Sequence, residues 1–352
     1  MTVNTLLIRA DANTHIGTGH VMRCLALAQA WQDNGGAVTF LMMPCSPSLE
    51  QRIRTEGMNV LTLTDPPGSQ EDAATTAEYA KINEASWVVV DGYQFGAEYQ
   101  RLLKVHNCNV LFIDDYGHAE HYYADIVLNQ NIYAEMSFYK NHEPYTRFLL
   151  GTKYVLLRRE FLKWSGWHRD IPEVAQKILI TLGGGDPDNI TYKFVESLRT
   201  IDLDGLEVKV IIGVTNPHVN VIREMVKDHS HITLINNAEN IPELMAWADL
   251  AISAGGSTCW ELAFMGLSFI LYPITKNQIV FSESIHVGGF GINLGFNNNL
   301  SNDEIGKKIE DLMKSSEKRT KMRDLGQKEI DGKGIIRVIQ TMDVYSSSCT
   351  NK

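Results

Sequence analysis

Cysteine is sparse in this 352-residue chain and basic charge is in deficit, and each shortage excludes a class of protein. The five cysteines, Cys24, Cys45, Cys108, Cys259 and Cys349, lie far apart without a C-x-x-C pair. Their odd number argues against a disulfide framework and for a reducing, cytoplasmic setting. Lys and Arg total 32 against 42 Asp and Glu, for a formal charge of -10. That balance offers a polyanion no electrostatic footprint, so neither nucleic acid nor an anionic membrane is an expected partner. Long apolar runs are missing: none approaches the roughly 20 residues of a spanning helix, and Arg9 and Asp11 interrupt the short apolar start before it reads as a signal peptide. Metal-ligand spacing is missing too. His118 and His121 stand as H-x-x-H, but no cysteine or carboxylate motif completes a set, and they read as solvated loop histidines. No metal and no cofactor are expected.

What is present is the material of a well-packed α/β protein, 44% hydrophobic and 21% charged. The length exceeds one ordinary domain and suits two. Short apolar runs alternate with helical patterns throughout, the signature of parallel strands joined by crossover helices. One series of strands is expected at Leu6–Ala10, Val38–Met43, Val60–Leu63, Trp87–Val90 and Val110–Ile113. A second is expected at Ile178–Leu182, Val208–Ile212, Thr233–Ile235, Leu250–Ser253 and Phe269–Tyr272. Phe161 to Val174, with Trp164, Gly166, Trp167, His168 and Pro172, reads as a linker between them. Domains are therefore expected at 1–165 and 175–335, with 336–352 a C-terminal helix and a frayed Ser-rich tail. The fold class is two doubly wound, Rossmann-like α/β domains facing a cleft, with ligands at the carboxyl ends of the strands.

Three glycine-bearing loops follow strands. The first, Arg9-Ala10-Asp11 through His15-Ile16-Gly17-Thr18-Gly19-His20, joins a strand to a helix on which Val21, Leu25 and Ala28 share a face. Its glycines permit a tight turn and close approach of a ligand, and unpaired helix-start amides suit a phosphate. Met22 stands where a dinucleotide fingerprint needs a small residue, and no acidic residue follows about 20 positions on, so the loop is a poor dinucleotide fingerprint although it nearly spells one. His20 sits where an imidazole can act on a bound ligand, although a capping or packing histidine has the same spacing. The second loop, Ala254-Gly255-Gly256-Ser257-Thr258, leads to Glu261. Its Gly256 to Thr258 amides and hydroxyls suit a diphosphate, and Glu261 either accepts from a ribose diol or closes a capping box. The third, Gly183-Gly184-Gly185-Asp186, is a flexible turn or a ligand-facing loop. Asp114-Asp115 and Tyr93 lie at strand ends, and Lys276-Asn277-Gln278 follows another; turn and cap roles fit these residues equally well.

Taken in order along nearly the whole chain, these motifs resemble the UDP-2,4-diacetamido-2,4,6-trideoxy-β-L-altropyranose hydrolases of pseudaminic acid biosynthesis, relatives of the MurG-type glycosyltransferases with the GT-B fold. Arg9-Ala10-Asp11, Ile16 to Leu25 and the Gly255 loop are the specific elements. Asp91-Gly92-Tyr93, Ile113-Asp114-Asp115, Asn129-Gln130-Asn131, Gly151 to Tyr154, Leu157 to Phe161, Asn277-Gln278 and Asp331 to Gly334 support them. The resemblance implies an inverting hydrolysis that removes UDP from C1 of a diacetamido trideoxy hexose, with His20 as general base and no acceptor but water. It assigns the sugar to the N-terminal domain through Asp11, Gly17, Thr18, Gly19 and Tyr93, with Asn277 and Gln278 also on the substrate. UDP falls to the C-terminal domain, with backbone near Ile241 to Met245 on uracil, Glu261 on ribose, and Gly255, Gly256, Ser257 and Thr258 around the diphosphate. An imidazole, with an ordinary pKa of about 6.5, suits a base working near neutrality. Two other readings use the same residues: a MurG-type transferase that passes the sugar to an acceptor, and a nucleotide-sugar binding protein without catalysis.

Overall fold

The computed structural model describes residues 4–13, 17–199, 201, 204–213, 216–236, 238, 240–296 and 300–349. His15 and Ile16 of the first glycine loop lie outside the described residues. The chain divides into two compact units, residues 1–159 with 332–352, and residues 160–331.

The first unit runs β1 (Thr5–Ala10), α1 (Gly19–Asp33), β2 (Ala37–Met42), α2 (Pro47–Thr55), β3 (Asn59–Thr62), α3 (Gln70–Ile82), β4 (Ala85–Asp91), α4 (Ala97–Val105), β5 (Val110–Ile113), β6 (Ile126–Asn129) and β7 (Arg147–Leu150). Its seven strands are all parallel, in the order β3-β2-β1-β4-β5-β6-β7. A parallel sheet needs cover on both faces, which explains apolar runs such as Val88-Val89-Val90 of β4 and Val110 to Ile113 of β5. Leu6 and Ile8 pack one way with Val21, Leu25 and Ala28 of α1. Leu7 packs the other way with Tyr99 of α4 and Phe112 of β5. The strand order reverses between β1 and β4, whose ends are registered as Ala10 against Asp91.

A one-turn helix, α5 (Arg159–Leu162), leads to the second unit: β8 (Lys177–Thr181), α6 (Ile190–Leu198), β9 (Glu207–Ile212), α7 (Val219–Val226), β10 (Ile232–Asn236), α8 (Ile241–Trp247), β11 (Leu250–Ser253), α9 (Thr258–Phe264), β12 (Phe269–Leu271), α10 (Gln278–Gly288), β13 (Ile292–Asn293), α11 (Asn302–Met313) and α12 (Ser316–Glu329). Six parallel strands take the order β10-β9-β8-β11-β12-β13, reversing between β8 and β11.

Three strands, β6, β7 and β13, go beyond the expected two series. β7 and β13 close their sheets and are only partly buried, and β6 lies between β5 and β7. The expected linker is largely built into the second unit. Arg169 is buried there, donating to the carbonyls of Met265 at 3.2 Å, Met245 at 2.6 Å and Ala248. The expected frayed tail is instead helical: α13 (Gly334–Cys349) runs through the serines and joins the first unit. Its Ile335, Val338, Ile339 and Met342 enter the core around α1.

Candidate active site

Each reversal of strand order opens a crevice at the carboxyl ends of the strands, where ligands of doubly wound sheets bind. In the first unit that crevice lies beside β1 and β4. Gly17 follows β1 with φ +71, its N–H bonded to Asn13 O at 2.9 Å, and the first internal bond of the next helix runs from Met22 N to Thr18 O at 3.0 Å. Gly19 and His20 form the first turn of α1, aiming the imidazole at the end of β4. His20 Nδ1 lies 2.6 Å from Asp91 Oδ1.

Burial would raise the Asp91 carboxyl, but the charges of Arg23 and His20 and their hydrogen bonds hold it below the usual carboxylate range. An ionised carboxylate only accepts, so in the neutral form of the ring the one proton sits on Nδ1 and Nε2 presents the lone pair. Nε2 takes no hydrogen bond from the described residues. Arg23, one turn along α1, donates Nε to Asp91 Oδ2 at 2.6 Å and Nη2 to Asp91 Oδ1 at 2.7 Å. The 3.2 Å approach of Nη2 to His20 Nδ1 is then a meeting of two donors on one acceptor. Arg23 Nη1 also donates to Asp115 Oδ1 at 2.7 Å. Asp115 further accepts from Tyr93 Oη at 2.8 Å and Asn131 Nδ2 at 2.9 Å. Burial pushes its carboxyl up, but Arg23 overrides that and holds it far below the usual range. Tyr93 meets the His20 ring edge-on at 5.0 Å.

Asp11 is not open to a ligand in the same way. It is 4% exposed, its Oδ1 accepts from Arg9 Nη1 at 2.5 Å and Met43 N at 2.8 Å, and its Oδ2 accepts from Gln94 Nε2 at 3.0 Å. Arg9 in turn binds Asp72 at 2.9 Å, so Asp11 ties the ends of β1 and β2 to the loop that carries Tyr93. Asp114 serves as the turn residue: its Oδ1 accepts from the amides of Asp115, Tyr116 and Gly117. His118 departs from the expected solvated histidine, with a side chain 9% exposed and packed against Tyr93, Tyr116 and Phe112. His121 is the more exposed of the two and pairs with Glu143 at 3.1 Å. Among the described residues no cluster of His, Cys, Asp and Glu is arranged to hold a metal.

In the second unit the Gly255 loop follows β11, beside the reversal. A Cβ on Gly255 would lie 2.3 Å from Ser282 Oγ and 3.0 Å from Gln278 Cβ, so only glycine lets this strand end lie against the first turns of α10. Gly256 faces open space. Its N–H, expected to point at a phosphate, donates to Ala254 O at 3.0 Å. The amides of Gly255, Ser257 and Thr258 have no acceptor among the described residues, and Ser257 heads α9 without a side-chain cap bond. Glu261 is half-buried one turn along α9. At the head of α10, Gln278 Oε1 accepts from Ile274 N at 2.9 Å and Asn277 Oδ1 accepts from Thr275 Oγ1 at 2.5 Å, and neither side-chain NH₂ group has an acceptor among the described residues. Ile241 begins α8, whereas Met245 is fully buried and its carbonyl is taken by Arg169. In the third loop, Asp186 caps α6, accepting from Ile190 N at 2.7 Å and Thr191 N at 2.9 Å.

Arg23 was not among the site residues read from sequence, although its place three residues after His20 puts both on one helix face. That spacing was the available signal.

With this geometry in view, comparison with known proteins bears on the second unit most directly. Residues 178–334 match the family model of the glycosyltransferase family 28 C-terminal domain. The Gly255 loop, α9 and α10 all fall inside it. Over 275 residues the chain is 26% identical to the UDP-2,4-diacetamido-2,4,6-trideoxy-beta-L-altropyranose hydrolase of Campylobacter jejuni, spanning 78% of this chain and 93% of that protein. Over 273 residues it is 26% identical to the uncharacterized protein MJ1062 of Methanocaldococcus jannaschii, spanning 76% of this chain but only 55% of that protein's length. The crystal structure of Acinetobacter baumannii MurG superposes with a TM-score of 0.64 at 14% identity, covering 97% of this chain and 99% of that one. Together with the two parallel sheets, this likeness places the chain in the GT-B fold. No helix among the described residues is long and apolar enough to cross a membrane.

Proposed function

We propose that the protein hydrolyses a UDP-linked amino sugar at the anomeric carbon, with His20 as general base, in the biosynthesis of a nonulosonic acid such as pseudaminic acid. The observation that carries this is the His20–Asp91 pair at 2.6 Å, which leaves Nε2 as the acceptor at the strand-order reversal of the first sheet. The extended similarity to the Campylobacter hydrolase supports the substrate class. In this reading Nε2 takes a proton from water, the water oxygen bonds to C1, and the bond between C1 and the glycosyl oxygen breaks. UDP leaves with that oxygen and its electron pair, and the anomeric configuration inverts. The imidazolium so formed meets ionised Asp91, and the cluster of Arg23, Asp91 and Asp115 carries one net negative charge to balance it.

The second unit holds UDP in this proposal, through the amides and hydroxyls of Ser257 and Thr258, with Glu261 on the ribose and the start of α8 at Ile241 on the uracil. Gly255 shapes the loop. Gly17, Thr18, Gly19 and Tyr93 face the sugar, and Asp11 acts by positioning Gln94 and the Tyr93 loop. Diphosphate needs no strong acid to depart, so one base and a set of fixed donors suffice.

The test is incubation with UDP-linked diacetamido sugars and no acceptor, in water enriched in heavy oxygen. UDP release with the label on the sugar is expected. Label in the UDP phosphate would mean attack at phosphorus, and release only when a sugar acceptor is added would make the protein a transferase.

A further inference from the structure

His118 faces two groups that can only accept a hydrogen bond. Its Nδ1 lies 3.1 Å from Asp114 Oδ1, and its Nε2 lies 3.1 Å from the carbonyl oxygen of Phe95. A carbonyl has no proton to give. The Asp114 carboxyl, which burial alone would raise, is held below the usual range by its contacts with His118, Tyr122 and the turn amides. Satisfying both partners therefore requires a proton on each ring nitrogen, which makes the ring an imidazolium.

The two bonds join the segments that shape the surroundings of His20. Phe95 belongs to the loop between β4 and α4 that carries Tyr93, and Asp114 organises the turn after β5 that carries Asp115. Tyr93 bonds Asp115 through its hydroxyl at 2.8 Å. Its ring stands edge-on to His20 at 5.0 Å and to His118 at 5.9 Å. The titratable groups around His118 favour its charge: Asp114 and Asp115 from its own turn, with the phenols of Tyr93, Tyr116 and Tyr122 about it. Arg23 on α1 reaches this cluster through Asp115, to which it is bonded.

We propose that His118 is a positioning residue, a charged clamp that holds the Tyr93 loop to the Asp115 turn beside His20. This rests on the reading of His20 as general base. The two histidines then have opposite requirements: His20 works with Nε2 unprotonated, while His118 works only with both nitrogens protonated. Burial opposes the charge on His118, but the bond and charge of Asp114 prevail and raise its pKa above the ordinary imidazole value. The clamp is therefore complete below the unfolded-state value of about 6.5 and is lost as pH rises through the higher folded value.

Nitrogen-15 NMR of the histidine-labelled full chain, titrated between pH 6 and 9 (about the range an imidazole spans), tests the protonation directly. Two protonated nitrogens on His118 at neutral pH are expected, with proton loss at a pH above that of an ordinary imidazole. A ring with one proton at neutral pH overturns the proposal. In turnover assays, wild type should lose activity over the same alkaline range. His118→Gln should show no such limb, with kcat lower by about 10²-fold, the usual effect of a misplaced group. UDP affinity, measured by calorimetry, should be unchanged. Wild-type turnover in both His118→Gln and His118→Phe also overturns it. Should either variant fail to fold, the wild-type titration decides. If no UDP-linked sugar is hydrolysed at all, the hydrolase reading falls while the NMR result still judges the clamp.

Discussion

At the scale of single residues, the site in the first unit is an ordered chain of charges in which each member fixes the next. Arg23 is shared between Asp91 and Asp115, and Asp91 fixes the tautomer of His20. Replacing His20 with Ala should lower turnover by about 10² to 10⁴, the reach of a general base, and leave UDP binding intact. A near wild-type rate in steady-state assays would remove the base assignment. Asp91→Asn should also cost about 10² or more, because an amide no longer dictates which ring nitrogen holds the proton and deprives Arg23 of a charged partner. The carboxyls of Asp91 and Asp115 are held low, by Arg23 acting against burial. Their ionised pairing therefore contributes stability above the ordinary carboxylate value of about 3.9, and that contribution is lost as pH falls through the lower folded values. No carboxylate step from either residue should appear in the rate profile between about pH 5 and pH 8. A limb near pH 5 that vanishes in Asp115→Asn would contradict the pairing.

At the scale of elements, the Gly255 loop separates a steric requirement from a binding one. Gly255→Ala forces a methyl against Ser282 on α10 and should destabilise the second unit by about 1–3 kcal/mol, the usual cost of overpacking. Gly256→Ala meets nothing within 4 Å and should leave stability within about 0.5 kcal/mol, yet weaken UDP binding if the ligand lies over that face. Thermal denaturation and calorimetry on both variants separate the two effects, and unchanged UDP affinity in Gly256→Ala would displace the ligand from this loop. Glycines, a strand before and a helix after were enough to find this loop from sequence, and apolar runs likewise located ten of the strands. The two-residue edge strand β13 escaped because so short a run carries no period, whereas β6 and β7 are as long as β3, β5 and β11, which were found, so length does not account for them. The partners of Asp11 were illegible for a different reason: Arg9, Met43 and Gln94 approach it from three separate chain segments. His118 was misread because H-x-x-H spacing says nothing about the Phe95 carbonyl that folding brings to its ring.

At the scale of the whole chain, the end of the sequence completes its beginning. Sequence order set the final helix apart, but α13 belongs with β1 and α1, and four of its side chains, Ile335, Val338, Ile339 and Met342, lie in that core at 7% exposure or less. Polar contacts fasten it further: Arg337 Nη1 donates to Lys153 O at 2.8 Å, and Tyr345 Oη donates to Asp125 at 2.5 Å while its ring meets Trp87 edge-on. Each buried apolar side chain is worth roughly 1.5–3 kcal/mol. Losing all four approaches the entire stability of an ordinary domain, about 5–15 kcal/mol. A chain ended at residue 333 should therefore lose amide protection throughout β1, β4 and β5, and with it any order at His20, while β8, β11 and the Gly255 loop keep theirs. The milder Met342→Ala should cost about 2–5 kcal/mol, with the loss of protection confined to the same strands. Hydrogen exchange read peptide by peptide checks both. Equal loss of protection in the two sheets would mean that they unfold as one unit, and undiminished protection around β1 would deny α13 its part in that core.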